Sequence, residues 1–277
     1  MTFSIVARSD DGESWGVAVA SKFLAVGSAV PAAVAGVGAI ATQAWANVAY
    51  KGIALSHLDE GATAGVALQR LLEEDDGRDH RQVGIVDVSG EAASHTGVSC
   101  LEWAGGVTGE GYAIQGNILV GEEVVVAMEA AFVASDPEAP LAHRLMAALR
   151  AGDEAGGDAR GRQSAALLVV KDEAGFDGRD DIAVDLRVDD HQAPIDELER
   201  LLALFDHLNA EVPEDERTPD TPELFAELDG RAQQLGHKSF VVWVGVNNYE
   251  ALGGDGWTAT RIVEEMRAAT PDWRADA

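Results

Sequence analysis

The chain is short of cysteine, of lysine and of long apolar runs, and each shortage excludes something. Cys100 is the sole cysteine in 277 residues, so no intrachain disulfide forms and a cysteine-based zinc site is excluded. The nearest approach to a membrane span, Phe23 to Ala41, is broken by several glycines and by Pro31. Met1 leads directly into an alternating pattern with no charged n-region or apolar h-region. No secretory signal is therefore expected, and a cytoplasmic location is. A P-loop, an HExxH helix and an EF-hand loop are all missing. Ser99 lacks the glycine two residues on that a nucleophile elbow requires. Gly105, Gly106, Gly109 and Gly111 do not have dinucleotide-binding spacing and read as tight turns between strands.

Lysine occurs only at positions 22, 51, 171 and 238, and the formal net charge is -28. So acidic a chain repels nucleic-acid phosphates and anionic membranes, which excludes both as expected partners. The charge reads as a solvated surface suited to high salt, where screening suppresses self-repulsion. Hydrophobic residues make up 47%, enough for a packed core and too many for a disordered chain.

What is present alternates first with period two. Phe3, Ile5 and Ala7 interleave with Ser4, Val6 and Arg8, Asp10-Asp11-Gly12 marks a turn, and Trp15 to Ala20 returns, which gives a hairpin. Val37 to Thr42 is a further strand, and Thr63 to Glu74 has helical spacing. Gln82 to Val88 and Glu91 to His95 form a second hairpin, with Tyr112 to Asn117 a short strand. Helices are expected over Gly121 to Ala134, Pro140 to Ala151 and Ile195 to Leu208, and buried strands over Gln163 to Lys171 and Ile182 to Val188. This clustering of strands and helices predicts an α+β domain of antiparallel sheets covered by helices. It is expected over residues 1–209, followed by a proline-punctuated linker over 210–221. A small α/β appendage over 222–277 follows, with a helix from Glu223 to Leu235, a strand over Phe240 to Val246 and a last helix over Thr258 to Ala269.

The start Met1-Thr2 carries chemistry. Aminopeptidases remove methionine before a small residue, and Thr2 would then bear a hydroxyl and an α-amine of pKa about 7.7–8.0. Such an amine accepts the hydroxyl proton near neutral pH, which makes a nucleophile and its base from one residue. Lys22, at the end of the returning strand, is placed to favour the ionised nucleophile. Gln115-Gly116-Asn117 offers amide donors beside a glycine, either for an oxyanion or simply to close a strand as a polar turn. Gln43 and Asn47 are polar residues next to an apolar strand. Arg160 and Arg162, in a glycine-rich loop with Asp158, can clamp a substrate carboxylate or pair with Asp185, Asp189 or Asp190. Asp189-Asp190-His191 could reach a metal with His95, but neighbours on a strand point to opposite faces, so capping of the next helix is the expected role.

In order along the chain, Thr2-Phe3-Ser4-Ile5-Val6-Ala7-Arg8, Gly16 to Lys22 and Ala41-Thr42-Gln43-Ala44 resemble the uncharacterised family DUF1028, grouped with the N-terminal-nucleophile (Ntn) hydrolases. His95-Thr96-Gly97, Gln115-Gly116-Asn117, Gly161 to Ala165 and Asp185 to His191 extend the resemblance to about Leu208. The resemblance implies a four-layer αββα sandwich and amide hydrolysis by the N-terminal residue. Its motifs add His95, Gln163, Asp185 and Arg187 to the substrate-binding candidates. The tail is similar to a small module named for peptidoglycan binding, but it is shortened here and that function is not carried over. The expectation is an amidohydrolase acting on a small amide or acyl-amino acid through Thr2, with no cofactor or metal. The alternative is a ligand-binding scaffold that keeps the fold alone. A homodimer is compatible with the open sheet edges.

Overall fold

The computed structural model describes residues 2–274, and the chain divides into two compact units, 1–200 and 201–277. The first opens with the hairpin β1 (Thr2–Arg8) and β2 (Ser14–Ser21), then a short helix α1 (Val26–Ala29), β3 (Pro31–Val34) and β4 (Gly38–Ala44). Helices α2 (Tyr50–Asp59) and α3 (Ala64–Glu73) precede strands β5 (Arg81–Asp87), β6 (Ala92–Thr96), β7 (Gly105–Gly109) and β8 (Tyr112–Asn117). The helical pair α4 (Glu123–Ala134) and α5 (Leu141–Glu154) leads to β9 (Ser164–Lys171) and β10 (Ile182–Val188). The boundary between units falls within α6 (Pro194–Asn209).

All strand pairs in this unit are antiparallel, in a six-stranded sheet ordered β10-β9-β2-β1-β8-β7 and a four-stranded sheet ordered β3-β4-β5-β6. The period-two alternation decides which sheet face meets what. Val6, Val17 and Val19 of the large sheet pack with Ala39, Ala41 and Val86 of the small one, so the two sheets share a core. Ile40, Val83 and Ile85 point the other way and pack with Tyr50, Leu58, Leu68 and Leu71 of α2 and α3. On the large sheet, Phe3 lies against α5 at Gly152, where an added Cβ would stand 3.2 Å from its ring.

In the second unit a three-stranded sheet is ordered β11-β13-β12, from β11 (Arg217–Pro219), β12 (Gly253–Gly254) and β13 (Trp257–Ala259). Three helices, α7 (Pro222–Gln234), α8 (Phe240–Val246) and α9 (Thr260–Ala269), pack with it around Leu228, Trp243, Ile262 and Met266.

The structure differs from the sequence reading at particular places. Phe240–Val246 is a helix and not a strand: Ser239 accepts a hydrogen bond from Val242 N at 3.3 Å and starts it. A seven-residue apolar run has no period of its own, so the cap decides. Of the four glycines read as turns, Gly105, Gly106 and Gly109 lie in β7, while Gly111, with φ of 78°, is in the turn to β8. Gly105 leaves room for the Trp103 ring, whose Cη2 would lie 2.6 Å from an added Cβ. Within the segment expected as a linker, Arg217–Pro219 pairs with Trp257–Ala259.

Candidate active site

Register brings a polar row to one end of the large sheet. Thr2 pairs with Asn117 on one side; on the other, the register that pairs Phe3 with Ala20 runs on toward Ser21, which pairs with Ser164. Residues directly opposite in a sheet share a face, so all four side chains face the small sheet. All four are buried. From the small sheet, Gln43, Gln82 and Thr96 pair across β4, β5 and β6 and face them.

These side chains form one hydrogen-bonded network. The Thr2 hydroxyl lies 3.1 Å from that of Ser21. Gln82 is the hub: its Oε1 accepts from Asn117 Nδ2 at 2.8 Å and Gln43 Nε2 at 2.9 Å, while its Nε2 donates to Gly116 O at 2.7 Å and Thr96 Oγ1 at 2.9 Å. The Thr2 carbonyl accepts from Gln43 Nε2 at 3.3 Å and Asn117 Nδ2 at 3.5 Å. Gln115 sits one pleat deeper, where its Nε2 donates to Ser4 Oγ at 2.7 Å and Ser4 Oγ donates to Gln43 Oε1 at 2.7 Å. Among the described residues its Oε1 has no hydrogen-bond partner, and it rests on Gly84, where an added Cβ would lie 2.1 Å away. Glycine is required at that crossing of the sheets. Gln115 is thereby spent on Ser4 and lies off the Thr2 hydroxyl.

A loop carries the cations to the same end. Asp158 is buried, and its Oδ2 accepts from the backbone N of Lys22 at 2.7 Å, while its Oδ1 accepts from Arg160 N at 2.9 Å. Lys22 Nζ donates to the Arg162 carbonyl at 3.2 Å. Arg162 donates to Asp153 Oδ1 at 2.6 Å, and that hydrogen bond pushes the guanidinium pKa up. Arg160 pairs with Asp158 at 3.4 Å and its side chain is 46% exposed. The arginines thus pair with Asp153 and Asp158, and neither of these salt bridges involves Asp185, Asp189 or Asp190.

The loops that leave this end are apolar and backbone-strained. Phe23 and Leu24 follow β2, Trp45 and Val48 follow β4, and Val120 follows β8, and all five are exposed. Ala25 and Ile118 in two of these loops and Ala44, the last residue of β4, have φ of 53°, 52° and 65°. Left-handed backbone at residues bearing a Cβ is costly and gathers at functional sites.

Other sequence candidates lie elsewhere. Asp185 and Arg187 pair with each other at 2.8 Å on β10, three strands from β1 and so about 14 Å away at ordinary strand spacing. His95 pairs in register with Val83, which faces the helices, and its Nε2 lies 3.0 Å from Arg78 O. Gln163 donates to Asp190 Oδ1 at 3.1 Å on the surface. Asn47 joins a separate cluster, 3.4 Å from Asp75 Oδ2, where Tyr50 donates to the same oxygen at 2.8 Å. His191 Nδ1 accepts from Ala193 N at 3.1 Å, beside the start of α6. Among the described residues, no three His, Cys, Asp or Glu side chains are grouped so as to hold a metal ion. Ser21, Gln82, Thr96 and Ser164 were not singled out by sequence; the signal was their place opposite Thr2 and Gln43, which only register discloses.

A buried polar row at the start of a central strand, between two antiparallel sheets with helices, defines an α+β protein with a site at one strand end. Residues 2–198 match a family of unknown function, DUF1028. The chain belongs to that family. Protein SPO2555 from Silicibacter pomeroyi, of the same family, is similar at 33% identity and TM-score 0.67, over 74% of this chain and 89% of that one. Anbu (ancestral beta-subunit) from Yersinia bercovieri is similar at 12% identity and TM-score 0.33, over 76% of this chain and 100% of that one. No curated protein matches the chain.

Proposed function

We propose that the protein is an amidohydrolase in which Thr2, freed by removal of Met1, is the nucleophile, within an Ntn-like four-layer αββα sandwich. The packing of α2 and α3 on the small sheet and of α5 on the large one supports the layer order. The observation that carries the chemistry is Thr2 at the very start of β1, its hydroxyl 3.1 Å from Ser21 Oγ and its carbonyl within reach of Asn117.

The freed α-amine takes the proton from Thr2 Oγ1 as that oxygen bonds to the amide carbon. Asn117 has one amide proton committed to Gln82 at 2.8 Å and a second held by the Thr2 carbonyl at only 3.5 Å. That second proton is the donor free to turn toward the developing oxyanion. The protonated amine then returns its proton to the leaving nitrogen as the C–N bond breaks. Water, deprotonated by the same amine, attacks the ester carbon, and the amine passes that proton to Thr2 Oγ1 as the carboxylic acid leaves. Lys22 and Arg160 suit a carboxylate on the substrate, and the exposed Phe23, Leu24 and Trp45 suit an apolar acyl group. Together they favour small acyl-amino acids. No cofactor enters, the reading places the protein in the cytoplasm, and a homodimer is compatible with it.

Intact mass of the purified chain is expected to show loss of Met1, and Thr2→Ala to abolish turnover of acyl-amino acids while binding persists. A chain that keeps Met1, or an active Thr2→Ala variant, overturns the mechanism and leaves the scaffold reading.

A further inference from the structure

The second unit carries a cavity that the chemistry at Thr2 does not use. Its core is aromatic: Phe240 stacks on Trp243 with ring centroids 6.0 Å apart, and Phe225 and Tyr249 meet this pair edge-on at 6.1 and 5.6 Å. Phe225, Phe240, Tyr249 and Trp257 line an open pocket of about 240 Å³. The exposed backbone of Gly253–Gly254 lines it too, so no side chain of β12 narrows it.

Two carboxylates complete the wall, Asp220 and Glu250, and no lysine, arginine or histidine is among the described residues lining it. Asp220 Oδ1 accepts from Thr258 Oγ1 at 2.9 Å, which fixes the carboxylate, and among the described residues neither acid is paired with a cation. Glu250 is exposed. Aromatic rings present a negative face, and an apolar pocket edged with unpaired carboxylates raises the attraction for positive charge. An apolar neutral ligand would fill the rings but leave the acids without use; a bare metal ion would use the acids but gain nothing from the rings. The same unit already shows the first attraction at work, with the Arg217 guanidinium 4.4 Å from the Trp257 ring centroid.

We propose that this pocket binds an organic cation, a quaternary or alkylated ammonium group whose methyl or methylene surface meets the rings while its charge faces Asp220 and Glu250. The inference is independent of the reaction at Thr2.

The test uses the full chain at constant ionic strength, titrated with choline and with its uncharged carbon isostere dimethylbutanol, and follows the indole N–H resonance of Trp257. Choline is expected to shift that resonance and to bind roughly tenfold or more tighter than the isostere. Glu250→Gln, at an exposed side chain, and Asp220→Asn, which keeps an acceptor for Thr258, are each expected to weaken choline severalfold and leave the isostere unchanged. An isostere that binds as tightly as choline overturns the proposal, as does choline affinity untouched by both substitutions together, or a shift confined to other indoles.

Discussion

At the scale of single residues, Gln82 holds the site together. Its one oxygen serves Asn117 and Gln43, and its nitrogen serves Gly116 O and Thr96, all between two sheets with no water access at the residue itself, which is fully buried. Gln82→Leu fills similar volume but removes the acceptor that Asn117 and Gln43 share and the donor to Gly116 O, Gly105 O and Thr96. Each buried group left unsatisfied costs about 1–3 kcal/mol, so a loss of about 2–5 kcal/mol in urea unfolding is expected. A loss under about 1 kcal/mol would mean the amides find other partners and the network is not what positions Thr2. Each of three site residues was legible from its immediate neighbours: Thr2 because it follows Met1, Gln43 as a polar residue beside an apolar strand, and Asn117 as an amide beside Gly116. Gln82 and Ser21 were not, because their meaning comes from residues 39 and 19 positions away. Arg162 shows the same limit: its charge was visible, but its pairing with Asp153 depends on where α5 ends.

At the scale of elements, the strands and longer helices of the first unit were legible because period two and period 3.6 differ over seven or more residues. The second unit was less so. Phe240–Val246 is apolar throughout and took its state from Ser239, while Arg217–Pro219, rich in turn formers, became a strand by pairing with β13. What ties its helices is electrostatic as well as apolar. Glu227 of α7 accepts from Arg267 of α9 at 2.8 and 2.9 Å and from Arg231 one turn on at 2.8 Å. The hydrogen bond from Arg267, with that from Arg231 behind it, holds the Glu227 carboxyl down at about 2. In the unfolded chain a glutamate titrates near about 4.3, so between these values the unfolded state binds the extra proton. The stabilisation is therefore complete above about pH 4.3 and is lost as pH falls through about 2. Wild type is expected to be more stable than Glu227→Gln at pH 6 and to lose that advantage toward pH 2, followed by denaturant unfolding at each pH. An advantage unchanged by acid would place the stabilisation in packing and not in charge.

For the whole molecule the governing quantity is the net charge of -28. Among the described residues no helix is long and apolar enough to cross a membrane. A net charge of this size acts on folding through self-repulsion. Two opposing effects of salt can be separated by distance. Ion pairs such as Arg150 with Asp196, at 2.7 Å, lie far inside a Debye length of about 10 Å at 0.1 M, and their attraction is only partly screened. Repulsion among the unpaired carboxylates acts over longer distances and is cut more strongly, because the Debye length falls to about 3 Å at 1 M. Screening should thus remove more repulsion than attraction, and the melting temperature is expected to rise steadily with KCl between about 0.05 and 1 M. Sodium chloride at matched ionic strength checks that the gain is not particular to potassium. A melting temperature that stays flat or falls in both salts would show that the acidic surface is balanced by its own arginines, and the high-salt reading would fail.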